Sequence, residues 1–126
     1  MEVTSQPEEI TGPNDIAEAT LTIKNVPLRA GEAIVINNIR ELDNWRIGSL
    51  AQSDFNINTS SSASLTANYS DGDLNITPSE DVPEGETITV GIADNWEYYT
   101  GRPTVTASRT DTNSSDEIDY YFEFSP

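Results

Sequence analysis

Ala63-Ser64-Leu65-Thr66-Ala67-Asn68-Tyr69-Ser70, then Asp71-Gly72, then Asp73-Leu74-Asn75-Ile76-Thr77, is the stretch that decides the fold class. Asp-Gly suits the centre of a type I′ turn, where both residues take positive φ. With Ser70 placed opposite Asp73, Tyr69 meets Leu74 and Ala67 meets Ile76. Every apolar side chain then falls on one face, and Thr66, Asn68, Asn75 and Thr77 fall on the other. The spacing predicts an antiparallel hairpin with one buried face.

The same period of two recurs on both sides of this hairpin. Ala17, Ala19, Leu21 and Ile23 alternate with Glu18, Thr20, Thr22 and Lys24, as a half-buried strand requires. Glu32-Ala33-Ile34-Val35-Ile36 is apolar at consecutive positions and β-branched, which predicts a central strand buried on both faces. Asn37 to Asn44 reads as a polar loop, with short strands expected over Trp45-Arg46-Ile47 and Asp54-Phe55-Asn56-Ile57. Downstream, Ile88, Val90 and Ile92 alternate within Glu86–Ile92, Pro103–Ser108 alternates weakly, and Ile118, Tyr120, Phe122 and Phe124 share a face of Ile118–Phe124. No helical period is visible. Eight or nine short strands without helical crossovers predict an all-β fold, an antiparallel immunoglobulin-like β-sandwich.

Residues 1–16 are acidic and contain Pro7, Gly12, Pro13 and Asn14, a composition that predicts an irregular, flexible N-terminal arm ahead of a single domain over 17–126. A chain of 126 residues suits one core. An order of residues repeats: Val26-Pro27, Gly31-Glu32-Ala33-Ile34 and Asp43-Asn44-Trp45 against Val82-Pro83, Gly85-Glu86-Thr87-Ile88 and Asp94-Asn95-Trp96. It is either common turn punctuation or a pair of equivalent strand-and-loop units, one in each sheet, each delivering a Trp. On both readings the Trp residues are core anchors.

Charge says more about setting than about activity. The chain carries 22 Asp and Glu against 6 Lys and Arg, a formal net charge of −16, with Lys24 its single Lys. Such a surface repels itself in dilute buffer, and at molar salt the Debye length of roughly 3 Å removes most of that repulsion. The composition points to a protein of a halophile; an ordinary acidic surface, a nucleic-acid mimic and a cation buffer are the alternatives.

Without His or Cys, Ser/His/Asp and Cys/His nucleophilic mechanisms, disulfides and zinc sites of the usual ligands are excluded. Carboxylate pairs arise by chance in so acidic a chain, so no catalytic residue and no cofactor is assigned. Asp71-Gly72-Asp73-Leu74-Asn75 begins like a calcium loop, but Ile76 and Val82 stand where that pattern needs Gly and Glu. The turn explains it, and no metal site is assigned; the loop Asp111–Asp119 has oxygen ligands suited only to weak Ca²⁺ or Mg²⁺ binding. Sequons at Asn58, Asn68, Asn75 and Asn113 are read as unused, because the N-terminus lacks the basic start and apolar run of a signal peptide. Nor is there an apolar run of membrane-spanning length. Arg29, Arg40, Arg46, Arg102 and Arg109 are dispersed among acids, which disfavours nucleic acid. One aromatic loop suits a sugar or partner surface: Trp96, Tyr98, Tyr99 and Arg102. The competing reading folds that loop back over the core edge.

In segments such as Leu65-Thr66-Ala67-Asn68-Tyr69 and Ile118-Asp119-Tyr120-Tyr121-Phe122, the chain resembles the small β-sandwich decoration proteins and surface domains of tailed viruses, here of a virus infecting halophilic archaea. The resemblance implies a non-enzymatic virion structural protein that coats or stabilises a capsid. It would be assembled in the host cytoplasm, act at the virion surface and form a homo-oligomer bound to the major capsid protein or another virion protein. The alternative is a cell-surface adhesion or carbohydrate-binding module of a halophile.

Overall fold

The computed structural model describes residues 2–6, 9–93, 95–97, 101–109 and 117–124. Eleven strands are found among them: β1 (Glu2–Gln6), β2 (Glu9–Ile10), β3 (Ala17–Thr22), β4 (Ile34–Asn37), β5 (Phe55–Thr59), β6 (Leu65–Ser70), β7 (Asp73–Pro78), β8 (Thr87–Ile92), β9 (Thr104–Arg109), β10 (Glu117–Tyr121) and β11 (Glu123–Phe124). They form a four-stranded sheet in the order β1-β3-β8-β5, a five-stranded sheet in the order β10-β9-β4-β7-β6, and a small pair β11-β2. Every pair in the two larger sheets is antiparallel. The fold is all-β.

The hairpin forms in the expected register, with Ser70 opposite Asp73, Tyr69 opposite Leu74 and Ala67 opposite Ile76. Asp71 and Gly72 both take positive φ, 54° and 85°, as a type I′ turn demands. Alternation also places the core. Ala17, Ala19, Leu21, Ile88, Val90 and Ile92 of the four-stranded sheet and Ile34, Ile36, Leu74, Ile76, Val105 and Ala107 of the five-stranded sheet join one buried cluster. Burying each Leu, Ile or Val side chain there contributes roughly 1.5–3 kcal/mol.

Several expectations need correction. The N-terminal segment is not an irregular arm: β1 pairs with β3 along its whole length, β2 pairs in parallel with β11, and Ile10 is fully buried in the core. Val3 and Ile10 carried too little periodicity to signal strands among acids and prolines, and the open edge of β3 supplied the partner. These strands, and a break at Phe122 that separates β10 from β11, raise the count above nine. No strand forms over Trp45–Ile47. A 3-10 helix spans Ile39–Trp45 and a shorter one Gln52–Asp54, leaving Arg46 only an isolated bridge to Trp96. β4 is central as expected, but its burial alternates, with Val35 only half-buried. Phe122 and Phe124 are buried as expected, whereas the faces taken by the side chains of Ile118 and Tyr120 lie outside the described part.

The repeated segments meet each other. Leu28 and Val82 exchange backbone hydrogen bonds, Val82 N–H donating at 2.7 Å and Leu28 N–H at 3.0 Å. Gly31 and Gly85 both take positive φ. Further along, Ile47 N–H donates to Asn95 O and Glu97 N–H to Trp45 O, each at 2.8 Å. The segments lead into β4 of one sheet and β8 of the other, so the two-unit reading describes their geometry better than shared turn chemistry does. At the end of the fold away from the Trp residues, the buried Arg109 donates to Val26 O at 2.6 Å and Pro27 O at 2.8 Å, fixing the turn before β4.

Candidate functional site

The sequence-derived loop divides into a buried part and an exposed part. Trp96 is fully buried, and its Nε1–H donates to Asp15 O at 2.7 Å. It packs edge-on against Phe124 at 5.1 Å between ring centroids, while Trp45 stacks on the same Phe124 at 5.6 Å. Gly101 makes room for Trp45, since a Cβ there would lie 2.9 Å from Trp45 Cζ2. Trp96 is therefore a core anchor and not a contact residue. Arg102 sits on the rim, its side chain well exposed and paired with Glu123 at 2.9 Å. Tyr98 and Tyr99 lie outside the described residues.

Arg46 completes this end of the fold and was not singled out in the sequence. Its guanidinium lies over Trp96 at 5.7 Å from the ring centroid, donates to Gly48 O at 3.3 Å and pairs with Asp54 at 3.6 Å. An isolated bridge to Trp96, far away in the chain, helps bring it there, so no local periodicity could have indicated it.

Beside this cluster, on the same end of the fold, the 3-10 helix and the β6–β7 turn enclose an acidic groove of about 380 Å³ lined by Asn38, Arg40, Glu41, Asp43, Asn44, Asp71, Gly72 and Asp73. The turn and the helix are tied by Ile39 N–H donating to Gly72 O at 2.9 Å. Arg40 lies across the turn, and a Cβ at Gly72 would come within 3.0 Å of Arg40 Cβ. Asp43 is held in place by accepting from Leu50 N–H at 2.8 Å. Burial pushes the Tyr69 hydroxyl above its ordinary pKa; Asp43 and Asp73 add to that rise and Arg40 opposes it. The groove presents four carboxylates against one guanidinium, a field that favours cations and basic side chains. No group of three His, Cys, Asp or Glu among the described residues converges to hold a metal ion. The acids at 71 and 73 were visible in the sequence as turn residues; that they line one groove with Arg40, Glu41 and Asp43 depends on segments distant in the chain and was not.

No helix among the described residues is long and apolar enough to cross a membrane. Compared with known families, with curated proteins and with solved structures, the chain matches none.

Proposed function

We propose that this protein is a non-enzymatic structural component of a virion, a capsid decoration or stabilising surface protein that works at high salt. The observation that carries the reading is the charge of −16 on a small all-β domain without His or Cys. Such a surface is relieved of its self-repulsion in concentrated salt, and the work left to the chain is contact through its loops and strand edges. Its partner in this reading is the major capsid protein or another virion protein, and its place is the virion surface of a virus of halophilic archaea.

The fold in this reading is an immunoglobulin-like β-sandwich. Taken in chain order, β1, β3, β4, β5, β8, β9 and β10 follow the seven-strand constant-type plan, with β1-β3-β8-β5 as one sheet and β4-β9-β10 as the core of the other. The β6–β7 hairpin is then an addition on the free side of β4. No Cys bridges the sheets; Trp96 is fully buried in the core.

The test is fractionation of virions purified in molar salt, with the protein followed by mass spectrometry. Recovery in intact particles at a fixed ratio to the capsid protein is the expected result. Recovery only in the cell envelope would overturn the virion reading in favour of the surface-module alternative.

A further inference from the structure

The two larger sheets end in four edge strands, β1, β5, β6 and β10. Edge strands invite pairing with another chain unless charge, proline, a bulge or a covering group blunts them. β1 carries Glu2, and β10 carries Glu117 and Asp119. β6 has no charge, but the Gln52 carboxamide covers it: Tyr69 N–H donates to Gln52 Oε1 at 2.6 Å and Gln52 Nε2 donates to Ala67 O at 2.9 Å. That side chain occupies the edge as an added strand would. β5, Phe55-Asn56-Ile57-Asn58-Thr59, has neither charge nor proline, and among the described residues no side chain from another segment bonds along its outer edge as Gln52 does along β6.

β5 also begins the longest uncharged run in the chain, the 16 residues from Phe55 to Ser70. β5 and β6 lie in contact on one flank, joined by the Phe55 and Tyr69 rings at 4.8 Å between centroids. Asn56, Asn58, Thr66, Asn68 and Ser70 are exposed there. In a protein of net charge −16, this flank is where a second copy meets least repulsion. At molar salt the Debye length is about 3 Å, so charges beyond this flank are largely screened and those set directly opposite across the contact weigh most.

We infer that a second copy of this chain binds here, β5 against β5 in antiparallel pairing about a twofold axis at Ile57. The ladder sets this register. Ser60 N–H donates to Thr87 O and Ala93 N–H donates to Asp54 O, with Phe55 to Thr59 paired to β8 between them. Alternation of antiparallel bonds then turns the even-numbered residues toward β8 and leaves the Ile57 N–H and C=O facing outward. On the twofold, Ile57 bonds its own copy, Asn56 faces the other copy's Asn58, and two four-stranded sheets become one. This contact is isologous and closes on itself, so it ends at a dimer. The inference goes beyond the virion reading and does not depend on it.

The experiment is sedimentation velocity of the purified protein in molar NaCl over a wide concentration range, with amide exchange at Ile57 measured at both ends of that range. A monomer–dimer equilibrium is expected, with exchange at Ile57 N–H slowed in the dimer. The double variant Asn56→Asp/Asn58→Asp sets like charges opposite each other across the axis and is expected to raise the dimer dissociation constant about tenfold. Ser49→Asp/Ala30→Asp adds the same charge elsewhere and is expected to leave the constant unchanged, and melts of each variant report whether the monomer is folded. A monomer at every concentration, a dimer equally weakened by both variants, or a dimer with unprotected Ile57 N–H would overturn the inference.

Discussion

Arg46 and Trp96, joined by an isolated backbone bridge, also meet through their side chains: the guanidinium lies over the indole, 5.7 Å from its centroid. With its side chain only 3% exposed against 25% for its partner Asp54, Arg46 is a cation enclosed between an aromatic face and a half-screened carboxylate. Salt screens exposed pairs far more than enclosed ones. Arg46→Met keeps much of the stem and removes the charge, leaving Asp54 with one partner fewer. The expected loss is about 1–3 kcal/mol, at the low end for a pair with one partly exposed member. Denaturant unfolding at low and molar NaCl checks it. The deficit should persist at molar salt, and a deficit that vanishes there would show that Arg46 acts as a surface charge.

The remaining acids predict the opposite salt response. Repulsion across a surface of net charge −16 acts over a Debye length of about 10 Å at 0.1 M and about 3 Å at 1 M. The melting temperature should therefore rise between those concentrations, read by circular dichroism. A flat or falling melting temperature would remove the case for a protein adapted to concentrated salt.

At the β6–β7 turn, Gly72→Val meets two obstacles. The residue takes φ of +85°, and its Cβ would crowd Arg40 at 3.0 Å. A β-branched residue fits positive φ poorly, and the combined cost is expected at about 1–3 kcal/mol. Calcium should leave the melting temperature of the native protein unchanged, because the turn is held by backbone geometry. A calcium-dependent rise that is lost in Asp73→Ala would show a metal loop instead.

Legibility followed the range of the interaction. The β6–β7 register could be read because Asp71-Gly72 and the alternation around it lie within one short stretch. β3, β8 and β9 announced themselves by Leu21, Val90 and Val105 at period two. What escaped depends on partners distant in sequence. Trp45-Arg46-Ile47 looks like a strand because it is bulky and β-prone, yet Trp45 closes a 3-10 helix and leans on Phe124. Trp96 was expected both as a core anchor and, beside Tyr98 and Tyr99, in a recognition loop; what no local pattern indicated is that Asp15 O, far away in the chain, accepts its N–H. The Gln52 clamp on β6 joins two segments with no shared pattern.

Tyr69 supplies a pH prediction. Its hydroxyl is held above the ordinary value of 10.0, first by burial and then by Asp43. The folded state thus holds this proton more tightly than the unfolded chain does, so it binds more protons than the unfolded state and stability falls as pH rises past about 10. Below that pH both states are protonated and the residue adds no slope. Urea unfolding across the alkaline range should show the decline in the native protein and a shallower one in Tyr69→Phe. Identical alkaline slopes would show that Tyr69 ionises as freely in the fold as in the unfolded chain.

The N-terminal segment reverses the expectation of a dispensable arm. Composition alone suggests that residues 2–14 can be removed without harm, but β1 forms a ladder with β3 from Glu2 opposite Thr22 to Gln6 opposite Glu18. Ile10 is fully buried, and Pro13 O accepts from Asn95 N–H at 2.8 Å beside the buried Trp96. Deletion would strip β3 of its outer partner, empty the Ile10 site and release the loop that carries Trp96. Ile10→Ala isolates the second of these effects and is expected to cost about 2–5 kcal/mol, a transfer loss plus the cavity left behind. The deletion should cost more than Ile10→Ala. Thermal and urea unfolding of both variants in molar NaCl decide the matter: unchanged stability in the deletion would return the segment to the status of a free arm. A loss in the deletion no larger than in Ile10→Ala would show that β1 adds nothing to its sheet.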